Sequence, residues 1–214
     1  MSKTIAFPDV GAKLQEGVCV VELFARTDLP TSFGNFTLFV FKNNHDSLEH
    51  LAMVSGSLNT AKGVTVRIHS ECLTGDVLGS LRCDCGQQLQ HSLGHIGKQK
   101  SGVLLYMRQE GRGIGLGNKI RAYALQDLGL DTYAANKHLG FDADLRDYKI
   151  ASLILKILQV PHVELWTNNP AKAQGLVEHG VIVEKVTPLT IAPNPHNSRY
   201  LSVKQAFHNT QKRS

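Results

Sequence analysis

The sequence contains no hydrophobic run long enough to cross a membrane. Its longest apolar segment, IASLILKIL at residues 150–158, is short and is interrupted by Lys156, whereas a membrane-spanning helix needs about 20 apolar residues. The first residues, MSKTIAFPDVGAK, also lack the apolar core of a secretory signal. We therefore expect a cytoplasmic protein with no membrane partner, in a compartment that keeps its four cysteines reduced.

Internal repeats, low-complexity tracts and evident linkers are also absent from the sequence. With 214 residues, 42% of them hydrophobic, the chain can bury a large core in one compact domain. Its formal net charge is +5, but five of the 23 basic residues follow Glu184 and no acidic residue does, so the rest of the chain is neutral. A neutral body with a basic tail is not the footprint of a nucleic-acid-binding domain, and we expect no nucleic-acid partner.

The order of hydrophobic patterns predicts a mixed α/β fold. Apolar and β-branched residues separated by turn-forming residues predict a β-rich N-terminal part with strands at 18–26, 36–42, 48–55 and 62–69. Ile150, Leu153, Ile154, Ile157 and Leu158 have the spacing of a buried helix face. Alternating β-α units follow the first strands, with helices predicted at 87–98, 116–128, 150–158 and 170–179 and strands at 102–107, 163–167 and 181–186.

Three closely spaced cysteines predict a metal site. Cys72, Cys83 and Cys85 lie in HSECLTGDVLGSLRCDCG, and they can converge if the segment between the first two forms a turn. Thiolates of this kind suit zinc best, and a catalytic zinc keeps its fourth position for water. His69 and His91 are near enough in sequence to close a structural site instead. The fourth cysteine, Cys19, lies in an apolar run, which predicts a buried free thiol.

A glycine-rich basic segment, RQEGRGIGLGNKIRAY, begins at Arg108. It follows a predicted strand and opens a predicted helix, so its glycines allow close approach of an anion such as phosphate to backbone N–H groups. Its G-x-G-x-G spacing is not that of a dinucleotide fingerprint, and no G-x-x-x-x-G-K-[ST] loop is present. A flexible turn is the alternative, although four basic side chains surround the glycines: Arg108, Arg112, Lys119 and Arg121.

Several motifs in one order resemble a known family. The segments RIHSECLTGD, SLRCDCG, MRQEGRGIGL, NKIRAYALQD, LGFDADLRDY and TNNPAK look like those of GTP cyclohydrolase II, the enzyme that begins riboflavin biosynthesis. The resemblance implies a homodimer and one catalytic domain at residues 31–200. Residues 1–30 would then be an N-terminal extension or first strand, and residues 201–214 a basic C-terminal tail.

The resemblance also implies the chemistry. Cys72, Cys83 and Cys85 match the zinc ligands of the family, whose zinc activates a water for attack on C8 of guanine. The imidazole ring of GTP opens, formate is released, and pyrophosphate leaves by cleavage between the α and β phosphates. The product is 2,5-diamino-6-(5-phosphoribosylamino)pyrimidin-4-one. We also expect Mg²⁺, because it usually accompanies triphosphates.

Further positions match GTP contacts of the family. Arg112 and Lys172 have the charge to neutralise the triphosphate. Glu110 has acceptors for the guanine N1–H and 2-amino groups, although a structural ion pair with neighbouring guanidinium groups is an equal alternative. The complete set that the resemblance implies is Arg67, Ile68, His69, Ser70, Glu71, Gln88, Glu110, Gly111, Arg112, Thr132, Thr167 and Lys172.

Three residues match catalytic positions of the family. Asp144 and Arg146 match a proton acceptor and a proposed nucleophile toward the α-phosphorus. Because a guanidinium keeps its proton, we expect Arg146 to stabilise charge on phosphate while Asp144 orients it or a water. Tyr123 matches a tyrosine assigned to ring opening, and relatives without it can stop at the formylated intermediate. Without the resemblance, Asp144 also fits an acidic cap at a helix start, Arg146 a solvated charge and Tyr123 a half-buried aromatic residue.

Two other functions stay open at this level. One is an incomplete enzyme that opens GTP but retains the formyl group. The other is a module in which zinc only stabilises the fold and nucleotide or nucleic acid binds without turnover. Gly117 also departs from the family pattern, which usually has leucine there, and it predicts a looser start of the helix at 116–128.

Overall fold

The computed structural model describes residues 6–58, 63–142 and 144–197, without the side chains of Thr132 and Tyr133. The basic tail predicted at residues 201–214 and the contact predicted for the Thr132 side chain therefore lie outside the described residues. The chain divides into two compact units. The first comprises the residues up to His69, Gln90–Arg108 and Asp147–Leu189, and the second comprises Ser70–Leu89, Gln109–Arg146 and the residues from Thr190.

An eight-stranded sheet, with the spatial order β1-β2-β3-β4-β6-β5-β7-β8, forms the framework of the first unit. The neighbours from β1 to β4, and β4 with β6, pair antiparallel. β5 pairs parallel with β7, and β7 with β8. The strands are β1 (Lys13–Glu16), β2 (Cys19–Thr31), β3 (Gly34–Asn43), β4 (His50–Gly56), β5 (Val64–Ser70), β6 (Ser101–Met107), β7 (His162–Trp166) and β8 (Ile182–Thr187).

The described residues also form six helices, and a 3-10 turn at Glu110–Gly113 precedes the third of them. Helix α6 joins the parallel strands β7 and β8, because parallel neighbours require a crossover connection. The helices are α1 (Leu73–Asp76), α2 (Cys85–Ile96), α3 (Gly115–Asp127), α4 (Thr132–His138), α5 (Lys149–Ile157) and α6 (Pro170–Glu178). Among the described residues, none of these helices has the length and hydropathy needed to span a bilayer.

The hydrophobic core of the first unit lies between α5 and the sheet. The apolar stripe predicted on this helix is confirmed, since each of the five stripe residues named above is at most 5% exposed. They pack with inward-facing sheet residues such as Leu23, Phe39 and Val66. The predicted buried thiol is also confirmed, because Cys19 is 2% exposed in this core and forms no disulfide.

The predicted mixed α/β fold is confirmed, and most element boundaries fall within a few residues of the prediction. β2 is longer than predicted because it continues as a hairpin with β3 as far as Thr31, where it pairs with Gly34. Three short elements, β1, α1 and α4, were not predicted. The predicted N-terminal extension at residues 1–30 contains β1 and most of β2. The predicted domain boundaries otherwise stay a prediction.

Gly117 is exposed in the first turn of α3, and a Cβ atom there would have no heavy-atom neighbour within 4 Å. Its φ lies outside the left-handed region, whereas Gly115, two residues earlier, has φ +80°. Glycine therefore costs α3 conformational entropy at position 117, and nothing in its surroundings requires it.

We expect Gly117→Ala to raise the free energy of unfolding by roughly 0.5 kcal/mol, because alanine restricts the unfolded chain and favours helix. Urea denaturation monitored by circular dichroism measures the change. The matched control is Gly115→Ala, which has equal space but would place alanine at a positive φ and should cost about 1 kcal/mol. Destabilisation by Gly117→Ala would contradict the assignment of this position as an unstrained helical residue.

Candidate functional site

Three cysteine sulfurs meet in the second unit. Cys72 directly precedes α1, Cys83 lies just before α2, and Cys85 is the first residue of α2. The Sγ atoms of Cys72 and Cys83 are 3.6 Å apart, and all three sulfurs lie within 4.8 Å of one another. The turn predicted between the first two cysteines is confirmed, and it includes the short helix α1.

Two glycines make this convergence possible. A Cβ atom on Gly75 would lie 2.8 Å from Cys83 Sγ and 3.3 Å from Cys72 Sγ. A Cβ atom on Gly86 would lie 2.2 Å from the Gly75 carbonyl oxygen. The backbones of α1 and of the first turn of α2 therefore touch directly, which only residues without a side chain allow. The cysteine spacing predicted the site, but it gave no indication that Gly75 and Gly86 are required.

The sulfur arrangement fits a tetrahedral metal. Thiolates bound to zinc at about 2.3 Å lie about 3.8 Å apart, close to the observed separation of Cys72 and Cys83. Among the described residues, no histidine or carboxylate joins the three sulfurs at this spacing. His69, one candidate for a fourth ligand, stacks on Tyr106, and His91, the other, lies beside Trp166. The donor set is therefore that of a three-thiolate metal site.

The three thiols differ in acidity. The pKa of Cys72 lies well below its ordinary value, because Cys83 and Cys85 donate hydrogen bonds to its sulfur and the Lys119 ammonium lies beside it. The pKa of Cys83 is raised to about 11, first by its hydrogen bond to Cys72. The pKa of Cys85 is raised for the same reason. Cys72 is thus the most acidic of the three thiols, and its sulfur lies next to the Lys119 ammonium.

Lys119 projects from α3 into the interior of the second unit. Its Nζ atom lies 3.1 Å from Cys72 Sγ and 2.8 Å from Glu110 Oε1. Burial alone would lower the pKa of Lys119, but the hydrogen bonds and charges of Glu110 and Cys72 raise it above its ordinary value. The sequence placed Lys119 among the cations facing an anion in the glycine-rich segment, whereas its ammonium contacts a sulfur and a carboxylate.

Glu110 uses both carboxylate oxygens within the protein. Oε2 accepts a hydrogen bond from the Leu73 backbone N–H at 2.7 Å. Oε1 accepts from the Gly111 N–H at 2.8 Å as well as from Lys119. The ion pair considered as an alternative for Glu110 is present, but with Lys119 in place of an arginine. A role of Glu110 in guanine recognition stays a prediction.

The turn at Glu110–Gly113 has an unusual backbone. Gly111 and Arg112 both have φ near +60°, a region that residues with a Cβ seldom adopt. The Leu145 N–H donates to the Arg112 carbonyl at 3.1 Å, and a Cβ atom on Gly113 would press on Leu145 at 3.1 Å. The turn is thus joined to the segment that carries Asp144 and Arg146.

Asp144 and Arg146 form a bidentate ion pair. Arg146 Nε donates to Asp144 Oδ1 at 2.8 Å, and a terminal nitrogen donates to Oδ2 at 2.5 Å. The other terminal nitrogen donates to Ser70 Oγ at 3.2 Å. Burial would raise the pKa of Asp144, but the hydrogen bonds and charge of Arg146, with the charge of Arg112, lower it below its ordinary value. Both partners are therefore charged, and the carboxylate fixes the plane of the guanidinium.

Tyr123 lies on α3, one helical turn after Lys119. The Arg82 guanidinium carbon is 4.6 Å from the centroid of its ring, and Arg82 also forms a bidentate ion pair with Asp127. Burial is the main cause that raises the pKa of Tyr123 above its ordinary value. The phenol is therefore protonated and can act as a donor. Arg82 is a neighbour of this tyrosine that sequence reasoning did not identify.

The remaining predicted contacts divide between the units. In the second unit, Gln88 is 6% exposed and donates to Asp84 at 2.5 Å, and Glu71 is half-buried. In the first unit, Lys172 Nζ donates to the Ile68 carbonyl at 2.7 Å, and Arg67 donates to the Trp166 carbonyl at 2.9 Å. Each of the four first-unit side chains with polar groups is at most 5% exposed: Arg67, His69, Thr167 and Lys172. Their binding of GTP stays a prediction.

Comparison with known proteins gives consistent matches. A family model described as GTP cyclohydrolase II matches residues 22–188. A protein named GTP cyclohydrolase-2 from Aeromonas hydrophila is 54% identical over 86% of this chain and 93% of its own length. A protein of the same name from Pectobacterium atrosepticum is 52% identical over 85% of this chain and 92% of its own length. The riboflavin biosynthesis protein RibBA of Bacillus cereus is 50% identical over 94% of this chain and 51% of its own. The chain thus spans about half the length of that relative.

We expect Gly75→Ala to abolish stoichiometric metal binding, because a methyl group at this position would push the Cys72 and Cys83 sulfurs apart. Zinc content after gel filtration, measured by atomic emission, tests this. The control is Gly117→Ala, the same substitution at a position with open space in the same unit. A folded Gly75→Ala protein that retains one zinc per chain would show that the observed sulfur arrangement is not needed.

Proposed function

The chain belongs to the GTP cyclohydrolase II family, as its motifs predicted, and from this premise we propose that it hydrolyses GTP in the first step of riboflavin biosynthesis. The reaction opens the imidazole ring and releases formate and pyrophosphate. It leaves 2,5-diamino-6-(5-phosphoribosylamino)pyrimidin-4-one. The observation that carries the proposal is the cluster of Cys72, Cys83 and Cys85, whose sulfurs converge inside the region matched by the family.

Zinc is the metal proposed for this cluster. Three buried or half-buried cysteine sulfurs, which lose their protons when a metal binds, suit zinc and leave a position for water. When bound, zinc would supply Lewis-acid activation of a water for attack on the guanine ring. Lys119 offsets negative charge at the Cys72 sulfur. The expected Mg²⁺, a cytoplasmic location and a homodimer stay predictions.

Arg146 is proposed to act on the phosphates as a fixed positive charge. Its pairing with Asp144 keeps the guanidinium protonated and oriented, and this arrangement supports electrostatic stabilisation of the departing pyrophosphate over nucleophilic attack by a neutral arginine. Arg112, whose charge reaches Asp144, would add to the positive potential.

Tyr123 is proposed to serve the ring-opening step. Its raised pKa keeps the phenol protonated, so the hydroxyl can donate a proton or a hydrogen bond to the leaving ring nitrogen. Through its ring it contacts Arg82, which is held by Asp127. A tyrosine at this position supports complete turnover to formate over release of the formylated intermediate.

Simultaneous measurement of products separates the proposed reaction from its alternatives. Purified protein with zinc, GTP and Mg²⁺ is expected to release formate and pyrophosphate in equal amounts. Pyrophosphate without formate would indicate the enzyme that retains the formyl group. GTP binding with neither product would indicate a module in which the metal only stabilises the fold.

We expect Cys83→Ser to abolish formate release while leaving GTP binding largely intact, because a serine hydroxyl is a poor ligand for zinc. Formate production and equilibrium binding of a non-hydrolysable GTP analogue measure the two effects. Cys19→Ala is the control, since this buried thiol lies in the core of the first unit and outside the cluster. Loss of analogue binding with zinc still held would count against the assigned role.

We expect Arg146→Lys to lower the rate of pyrophosphate release by about 100-fold, with a smaller change in KM. Lysine keeps the charge but cannot make the bidentate contact with Asp144, and the loss of one positioned donor typically costs this much. Steady-state kinetics with a coupled pyrophosphate assay measure the effect. Arg26→Lys, an exposed position in β2, is the control. Unchanged kcat in Arg146→Lys would exclude an oriented guanidinium as a requirement.

A further inference from the structure

Lys119 is a buried cation to which the reaction described above assigns no contact with GTP. Its side chain is 9% exposed, and that of its partner Glu110 is 10% exposed. Removing an ammonium from water costs several kcal/mol unless its partners compensate. A lysine on a helix surface can normally extend its charge to solvent, so the inward position of Lys119 indicates a role in the interior of the second unit.

We infer that Lys119 is a positioning residue that connects the metal-ligating sulfur of Cys72 to the Glu110 carboxylate. The inference rests on the proposed function for the identity of the metal ligands. Its basis is geometric: one ammonium lies 3.1 Å from Cys72 Sγ and 2.8 Å from Glu110 Oε1. Lys119 thereby fixes the position of the Cys72 sulfur and that of the turn at Glu110–Gly113, which follows β6.

The contacts form a closed ring. Lys119 donates to Cys72 Sγ and to Glu110 Oε1, and Glu110 Oε2 accepts from the N–H of Leu73, the residue bonded to Cys72. The sulfur and the backbone that carries it are therefore held by the same ion pair. Partners of this kind, one step removed from a metal, orient its ligands and adjust their donor strength.

Charge explains why the ring needs a cation. Three thiolates and a divalent ion together carry one negative charge, and the Glu110 carboxylate adds another nearby. Lys119 separates the Glu110 oxygens from the Cys72 sulfur with a positive charge. Without it, two buried anionic groups would be neighbours, which is unfavourable at low dielectric. Removing the Glu110 charge as well should relieve most of this repulsion.

The first test is metal affinity, measured by competition with a chromophoric chelator in the absence of GTP. Lys119→Met is expected to weaken zinc binding by about 10–100-fold. The double variant Lys119→Met/Glu110→Gln, which lacks both charges, should recover part of that loss. Lys137→Met removes an exposed lysine from α4 in the same unit and should bind zinc as the parent does.

The second test is spectroscopic and reports on the sulfur itself. In the cobalt-substituted protein, loss of the N–H···S contact raises the energy of the Cys72 lone pair, so the thiolate-to-cobalt absorption should move to longer wavelength in Lys119→Met. An ion pair that only held α3 in place would change the unfolding midpoint without moving this band. If Lys119→Met does not fold, Lys119→Arg keeps the charge with altered reach and should still shift the band.

Zinc affinity within twofold of the parent, together with an unmoved cobalt band in a folded Lys119 variant, would overturn the inference. That result would leave the proposed function standing, since both measurements are made without GTP. Failure of the parent chain to bind zinc or cobalt would overturn the metal centre and the inference together. If the Lys119 variants change zinc affinity and the cobalt band as expected but the parent protein releases no formate, only the proposed reaction would be contradicted.

Discussion

Contact between the backbone of α1 and that of the first turn of α2 is the constraint on which the candidate site depends. The Gly75 carbonyl lies where a side chain on Gly86 would have to be, and a side chain on Gly75 would occupy the space between two sulfurs. Because both residues are glycines, Cys72, Cys83 and Cys85 approach to the spacing that a tetrahedral metal requires. The set of three sulfur donors therefore depends on the close backbone contact between α1 and the first turn of α2.

Ion pairs hold two charged groups in the described part of the second unit. A carboxylate fixes the direction of each cation: Glu110 that of Lys119, and Asp144 that of Arg146. The Lys119 ammonium faces a sulfur, and the Arg146 guanidinium reaches the Ser70 hydroxyl. Carboxylates here orient charged groups as well as neutralise them, which is compatible with the proposed reaction and its separate steps at a ring carbon and at phosphorus.

The sequence predicted those features that leave a regular residue spacing, namely the longer helices and strands and the cysteine cluster. The stripe on α5 predicted a buried helix because core residues recur at helical spacing, and the cysteine spacing predicted the cluster of three sulfurs that could hold a metal. The short elements β1 and α1 carry too few residues to show a period, and tertiary contacts such as that of Glu110 with Leu73 hold α1. The inward direction of Lys119 depends on the rotation of α3, although burial of Ala122 at i+3 marks the same helix face. The close approach of Gly75 and Gly86 arises only once the chain has folded.

Arg112 has a left-handed backbone, with φ +60°, between Gly111 and Gly113. Arginine in this conformation costs about 1 kcal/mol that glycine would not, and the flanking residues show that glycine is readily used in this turn. A backbone strained in this way persists only where its surroundings hold it, and the hydrogen bond from the Leu145 N–H to the Arg112 carbonyl is one such restraint. Arginine at this position therefore supplies a guanidinium at a cost of about 1 kcal/mol in stability.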